Sequence, residues 1–122
     1  MKALKVLVID DEQVICDACR LVLCENGHTV ANCTTGRDGL MALKGRGYDL
    51  ILLDMKLPDI DGSRVLAYIR ENLPALPVIV MTGYSTMSNA LEAMKLGAAD
   101  YLSKPFSEDE LLGAIDQLFS KR

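Results

Sequence analysis

The sequence lacks any apolar run approaching the roughly 18 residues that are needed to cross a membrane. The apolar run near its start, residues 6–9, meets Asp10 at once and is too short for the core of a secretory signal peptide. Positive charge is also scarce, because 13 lysines and arginines face 17 acidic residues and leave a net charge of −4. We therefore expect a cytoplasmic protein with no membrane partner and no direct contact with nucleic acid, whose binding depends on basic groups.

Cysteine and histidine are too sparse and too poorly spaced for a zinc site. The chain has one histidine, and Cys16 and Cys19 fall inside a helical pattern with no turn or histidine pair at the spacing of a zinc finger. We expect Cys16, Cys19, Cys24 and Cys33 to be thiols that lie in the core or are half buried.

What the sequence does contain is typical of one globular domain. Of its 122 residues, 50% are hydrophobic and 25% are charged, which excludes intrinsic disorder. No repeat, low-complexity tract or linker interrupts the chain, so residues 1–122 are predicted to form a single domain.

Short apolar runs alternate with helical patterns along the whole chain. Residues 4–9, 50–53 and 78–81 are continuously apolar, as expected of parallel strands covered on both faces. Residues 29–33 and 99–103 are weaker strands and belong at the edges. The predicted fold is therefore an α/β, flavodoxin-like three-layer sandwich with five helices and a five-stranded parallel sheet of order 2-1-3-4-5.

Five helical patterns follow these strands. The first covers residues 12–25, closes at Asn26-Gly27, and is expected to turn Val14, Ala18, Leu21 and Val22 inward. The others carry apolar residues at helical spacing: Leu40 and Leu43 after Thr35; Val65, Leu66 and Ile69 after Asp61; Met87, Ala90, Leu91 and Met94 before Gly97; and Leu111, Leu112, Ile115 and Leu118 after a capping box at residues 107–110.

The residues that follow the strands point to phosphoryl chemistry, because ligands bind at the carboxyl ends of such strands. The ends carry Asp10, Asp11 and Glu12; Asp54; Thr82 and Gly83; and Lys104. Clustered carboxylates repel each other unless a cation joins them, and the oxygen ligands suit Mg²⁺. Lys104 is expected to pair with Asp54 and then with an incoming anion, leaving a carboxylate placed as nucleophile.

Each of these residues also has an ordinary structural interpretation. Asp11 or Asp61 alone would be a helix N-cap, and Asp59 and Asp61 belong to the turn at residues 57–62. The joint placement at four strand ends is what favours a functional site.

The chain resembles the receiver domain of two-component response regulators. The matching motifs are residues 8–12 (VIDDE), 52–55 (LLDM), 57–62 (LPDIDG), 80–83 (VMTG) and 97–106 (GAADYLSKPF). The resemblance implies that Asp54 accepts a phosphoryl group from a sensor histidine kinase. It further implies that Mg²⁺ is held by Asp11 directly, by Asp10 largely through water, by Asp54 and by the main-chain carbonyl of Lys56, while Lys104 and Thr82 contact the phosphoryl group.

The resemblance also implies a switch in which Thr82 moves toward the phosphoryl group and Tyr101 turns inward. The surface of helix 4, strand 5 and helix 5 then changes its affinity for an output domain or target protein, with homodimerisation on phosphorylation as a further expectation. Such a domain catalyses its own phosphorylation and dephosphorylation without being a conventional turnover enzyme. A cis peptide bond is implied at Lys104–Pro105.

Two features depart from the family pattern. Gly83 replaces the more common alanine, and bulky Lys56 and Tyr84 flank the site, where they are expected to hinder the attacking water. We predict a phosphorylated state that lives for minutes or longer. The segment at residues 81–86 is most similar to that of receivers of the NtrC type.

Two other functions fit the sequence less well. A receiver-like interaction module that never carries phosphate is disfavoured by the intact Asp11, Asp54, Thr82 and Lys104. A flavin or dinucleotide binder is disfavoured because acidic residues stand after strand 1, where a glycine-rich phosphate loop belongs, so no cofactor-binding residues of that kind are expected.

Overall fold

The structure, a computed structural model, describes residues 2–45, 47–83 and 87–119, and for Met87 the main chain only. Within that part of the chain, five strands alternate with five helices and no helix is long and apolar enough to span a membrane. The elements are β1 Lys5–Ile9, α1 Gln13–Glu25, β2 Thr29–Cys33, α2 Gly36–Leu43, β3 Leu50–Asp54, α3 Gly62–Asn72, β4 Val78–Thr82, α4 Met87–Lys95, β5 Asp100–Ser103 and α5 Glu108–Phe119.

The described strands form one parallel sheet in the order β2-β1-β3-β4-β5, which confirms the predicted topology. β3 and β4 are buried at every residue, because helices cover both of their faces. β2 and β5 form the edges and are only partly buried, as their weaker apolar character predicts.

Two hydrophobic cores lie on opposite faces of the sheet. Alternating residues of β1 divide between them, with Val6 and Val8 facing α1 and α5, and Leu7 and Ile9 facing α2, α3 and α4. This alternation follows from the two-residue period of a strand, and it explains why β1 is apolar without interruption.

The predicted inward face of α1 is wrong at three of its four residues. Val14 and Leu21 are 71% and 62% exposed, and Ala18 is also exposed. Val22 is partly buried and packs against the core, as predicted. The residues that face the sheet are instead Cys16, Cys19 and Leu23. Cysteine packs as a small apolar residue and lets the helix approach the strands closely. A prediction that ranks side chains by hydrophobicity favours valine and leucine over cysteine and therefore selects the wrong face.

The four cysteines are free thiols, as predicted, but their burial is not uniform. Cys16 and Cys19 are in the core, and Cys33 is half buried. Cys24 is exposed, contrary to the prediction, because it precedes the end of α1 on the solvent side.

The apolar pattern of α4 likewise lies mostly outside the core. Leu91 and Met94 are 54% and 47% exposed, whereas the small residue Ala93 is buried against the sheet. Ala90 is partly buried, and the side chain of Met87 lies outside the described residues. α4 therefore presents large apolar side chains to solvent.

The predicted starts of α2, α3 and α5 are confirmed by their caps. Thr35 Oγ1 accepts a hydrogen bond from Asp38 N at 3.1 Å, and Asp61 Oδ1 accepts one from Ser63 N at 3.1 Å. At α5, Ser107 and Glu110 cap each other, with Glu110 N donating to Ser107 Oγ at 3.0 Å and Ser107 N donating to Glu110 Oε1 at 2.8 Å.

Candidate functional site

The carboxyl ends of β1, β3, β4 and β5 meet at one edge of the sheet. The strand register places Ile9 beside Leu53, and Thr82 beside Ser103. The residues that follow β1 and β5 therefore lie near the last residues of β3 and β4, which are Asp54 and Thr82. Parallel pairing alone produces this convergence of residues far apart in sequence.

Three carboxylates form a tight cluster at this edge. One oxygen each of Asp10, Asp11 and Asp54 lies within 4.8 Å of the others. Asp10 and Asp54 are 0% and 4% exposed, whereas Asp11 faces solvent. Main-chain N–H groups orient the two buried groups, because Glu12 N donates to Asp10 Oδ1 at 2.9 Å and Lys56 N donates to Asp54 Oδ1 at 3.1 Å.

Lys104 reaches into this cluster from the end of β5. Its Nζ lies 2.8 Å from Asp10 Oδ2, 2.8 Å from Glu12 Oε1 and 3.4 Å from Asp54 Oδ2. The predicted pairing of Lys104 with Asp54 is thus present, but the distance between them is the longest of the three. Burial alone would lower the pKa of Lys104, but its hydrogen bonds to Asp10 and Glu12 and the negative charges of Asp10 and Asp54 outweigh this effect and raise the pKa above its usual value.

Glu12 is a site residue that sequence reasoning did not single out. The sequence places it beside Asp10 and Asp11 at the end of β1 and indicates no separate role for it. The structure brings its carboxylate to Lys104, 92 residues away along the chain. Its position in the first turn after β1 was the only available signal.

The environment of Asp54 is suited to a carboxylate that acts as a nucleophile. The pKa of Asp54 is raised to about 6, chiefly by burial and also by the charge of Asp10, while the hydrogen bond from Lys56 N and the neighbouring Lys104 oppose the rise. The group is therefore mostly ionised at neutral pH, yet it is poorly solvated. A desolvated carboxylate is a better nucleophile than one surrounded by water.

The donor set fits a divalent cation. The ammonium group of Lys104 lies among Asp10, Asp54 and Glu12, with Asp11 beside them. Lys104 is shared among three carboxylates, with Asp10 Oδ2 and Glu12 Oε1 both at 2.8 Å and Asp54 Oδ2 at 3.4 Å. A hard cation that prefers oxygen ligands would offset the excess negative charge.

An open cavity of about 620 Å³ lies over the cluster. Its lining residues are Asp11, Glu12, Asp54, Lys56, Leu57, Pro58, Gly83 and Lys104. We call it the site cavity. Gly83 borders free space, because a Cβ added there would meet no atom within 4 Å.

The two switch residues implied by the resemblance, Thr82 and Tyr101, do not line the site cavity. Thr82 is buried and lines a neighbouring cavity of about 420 Å³ between β4 and α4, together with Val80 and Ala93. Tyr101 is half buried on β5, and its hydroxyl accepts a hydrogen bond from Ser103 Oγ at 3.4 Å. The Lys104–Pro105 bond is cis, as the resemblance implies. Tyr84 lies outside the described residues.

Comparisons with known proteins identify the family and the fold of the chain. The family model of the response regulator receiver domain matches residues 6–116. The transcriptional regulatory protein ZraR of Escherichia coli O157:H7 is 38% identical over 112 residues, which are 92% of this chain and 25% of ZraR.

Two solved structures share the fold. A CheY-like receiver domain protein from Methanospirillum hungatei has a TM-score of 0.89 and 29% identity, with 96% of this chain and 94% of that chain covered. NtrX from Brucella abortus has a TM-score of 0.90 and 31% identity, with 95% and 27% covered. The chain spans about a quarter of the length of the ZraR proteins that it matches.

Proposed function

Because this chain belongs to the response regulator receiver domain family, we propose that it is a switch that accepts a phosphoryl group on Asp54 from a sensor histidine kinase in the cytoplasm. The observation that carries the proposal is the position of Asp54. Its buried carboxylate lies beside two other aspartates and a lysine, and it borders an open cavity.

The side chains support a specific transfer step. A carboxylate oxygen of Asp54 attacks the phosphorus of a phosphohistidine, a P–O bond forms, and the P–N bond to the imidazole breaks. The product is an aspartyl phosphate, and the imidazole nitrogen leaves with the bonding electron pair. Lys104 lies within reach of Asp54 and neutralises charge on the transferred oxygens.

Phosphoryl transfer at this site also requires a cation, which we propose to be Mg²⁺. Asp10, Asp11, Asp54 and the main-chain carbonyl of Lys56 would hold it, with water completing the set. When bound, Mg²⁺ neutralises phosphoryl oxygens and the acidic cluster at once.

The proposed output is a population shift of the surface formed by α4, β5 and α5. Thr82 and Lys104 bind the phosphoryl oxygens in one of two states, and Tyr101 turns inward in that state. The exposed Leu91 and Met94 on α4 support a role in binding an output domain, a target protein or a second copy of the chain.

The test is adduct formation. The chain is incubated with acetyl phosphate and Mg²⁺, and intact mass is measured beside Asp54→Asn and beside a reaction with a chelator. We expect one phosphoryl adduct on the wild type and none in either control. An adduct that survives Asp54→Asn contradicts the assignment of Asp54. Absence of any adduct on the wild type supports the alternative of a module that never carries phosphate.

A further inference from the structure

The loop between β3 and α3, residues 55–61, forms one wall of the site cavity. Lys56, Leu57 and Pro58 line that wall. The loop begins at Asp54, whose Oδ1 accepts the N–H of Lys56 at 3.1 Å, and it closes where Gly62 N donates to Met55 O at 3.1 Å. Because the loop carries the proposed main-chain ligand at Lys56, its position relative to Asp54 matters for chemistry.

Asp59 ties this loop to a different helix. Its Oδ1 accepts a hydrogen bond from Gly36 N at 2.8 Å, and its Oδ2 accepts one from Arg37 N at 2.9 Å. These are N–H groups of the first turn of α2, which have no partner within the helix and favour a negative charge. A carboxylate that binds two adjacent N–H groups restrains both distance and orientation.

The neighbouring residues are shaped for this contact. A Cβ added at Gly36 would collide with the side chain of Ile60 and lie 3.3 Å from Asp59 Oδ1, so the loop could keep this position only if the Ile60 side chain moved. Burial opposes ionisation of Asp59, but the hydrogen bonds from Arg37 N and Gly36 N outweigh it and lower the pKa of Asp59.

The Arg37 side chain contributes little to the contact. Its Nε lies 3.8 Å from Asp59 Oδ2, and the side chain is 76% exposed. α2 also has an N-cap of its own, Thr35, which binds Asp38 N rather than the N–H groups that Asp59 takes. Mutation of the Arg37 side chain or of the Thr35 N-cap therefore leaves the hydrogen bonds of Asp59 in place.

We propose that Asp59 is a positioning residue, which anchors the β3–α3 loop to α2 and thereby holds the main chain at Lys56 in place for cation binding beside Asp54. The inference rests on the proposed function of the site. Groups that orient ligands in this way typically contribute a factor of about 10 to 100 to metal affinity.

The test uses Asp59→Asn in the full chain, with Mg²⁺ affinity measured by isothermal titration calorimetry, since the sequence has no tryptophan to report binding. Asparagine keeps the shape of the side chain but replaces one acceptor by a donor that faces a main-chain N–H. We expect Mg²⁺ affinity to fall about tenfold. We also expect slower adduct formation at low Mg²⁺, recovered at saturating Mg²⁺.

Two matched controls come from the same helix. Thr35→Ala removes the N-cap of α2 without touching the loop, and Arg37→Gln removes the exposed charge. Both are expected to bind Mg²⁺ like the wild type, although Thr35→Ala lowers the melting temperature. Gly36→Ala perturbs the same contact from the side of α2 and is expected to weaken Mg²⁺ binding, which provides a second test if Asp59→Asn does not fold.

The outcomes separate the two proposals. If Asp59→Asn binds Mg²⁺ as tightly as the wild type, or if Thr35→Ala weakens binding equally, Asp59 only stabilises α2 and this inference is wrong. If the wild type itself binds no Mg²⁺, that result contradicts both the proposed function and this inference.

Discussion

The ammonium group of Lys104 lies 2.8 Å from Oδ2 of Asp10, a carboxylate that is itself 0% exposed. The two residues come from strands separated by β3 and β4 in the sheet, so only the closed fold brings them together. Removing one member of a buried ion pair leaves the other without compensation, which is why the acidic cluster depends on this lysine.

Lys104→Met is therefore expected to lower the free energy of unfolding by about 3 kcal/mol without divalent cations, because Asp10 and Asp54 lose their counter-ion. Urea denaturation with and without Mg²⁺ measures the effect, and Mg²⁺ should restore part of the loss. Glu12→Gln is the control, since Glu12 is 55% exposed and its contact with Lys104 is worth less than about 1 kcal/mol. Equal losses in the two variants would contradict this account.

The two glycines at the site should respond in opposite ways to alanine. At Gly62 a Cβ would lie 2.5 Å from Met55 Cα and 2.8 Å from Asp54 O, which are main-chain atoms that cannot move aside alone. Gly62→Ala is expected to cost about 3 kcal/mol in thermal or urea unfolding. Gly83→Ala meets no atom within 4 Å and should be neutral or gain up to about 1 kcal/mol.

His28, the single histidine, should make stability depend on pH. It is 5% exposed, and its Nδ1 accepts the N–H of Leu4 at 3.0 Å, so the neutral ring is required. Burial lowers the pKa of His28 below 6.5 in the folded state. As the pH falls below the unfolded-state value, the unfolded chain takes up a proton that the folded chain does not, and stability is lost.

The expected slope for one such group is at most about 1.4 kcal/mol per pH unit. Urea denaturation between about pH 7 and pH 5 measures it, and NMR of the single imidazole gives the folded pKa directly. His28→Asn keeps an acceptor in the position of Nδ1 but does not titrate, so its curve should lack this component. Parallel pH dependence in the two proteins would show that His28 is not the cause.

The lifetime of the aspartyl phosphate stays a prediction of minutes or longer. Lys56 lines the site cavity, where its side chain would obstruct a water molecule approaching the phosphorus. Lys56→Asn keeps the main-chain carbonyl and is expected to shorten the lifetime several-fold, measured by the loss of radiolabel. Lys44→Asn, on the exposed end of α2, is the control. Decay of the wild type within seconds would refute the prediction.

Much of the fold can be predicted from the local pattern of apolar and capping residues. Uninterrupted apolar runs mark β3 and β4 because both faces of a central parallel strand are buried, and Ser107 with Glu110 marks the start of α5 because each side chain caps the other's main-chain N–H. The inward face of α1 was not readable. Cysteines rather than Val14 and Leu21 pack on the sheet, and the choice depends on how closely helix and strands approach.

The sequence by itself determined which residues stand at the strand ends, because hydrophobic period and capping chemistry act over a few neighbouring residues. Only the tertiary structure decided that Lys104 lies nearer to Asp10 and Glu12 than to Asp54, and that Asp59 joins its loop to α2. Such contacts link segments tens of residues apart. Their distances are set by the packing of the whole sheet and its helices, which no local pattern encodes.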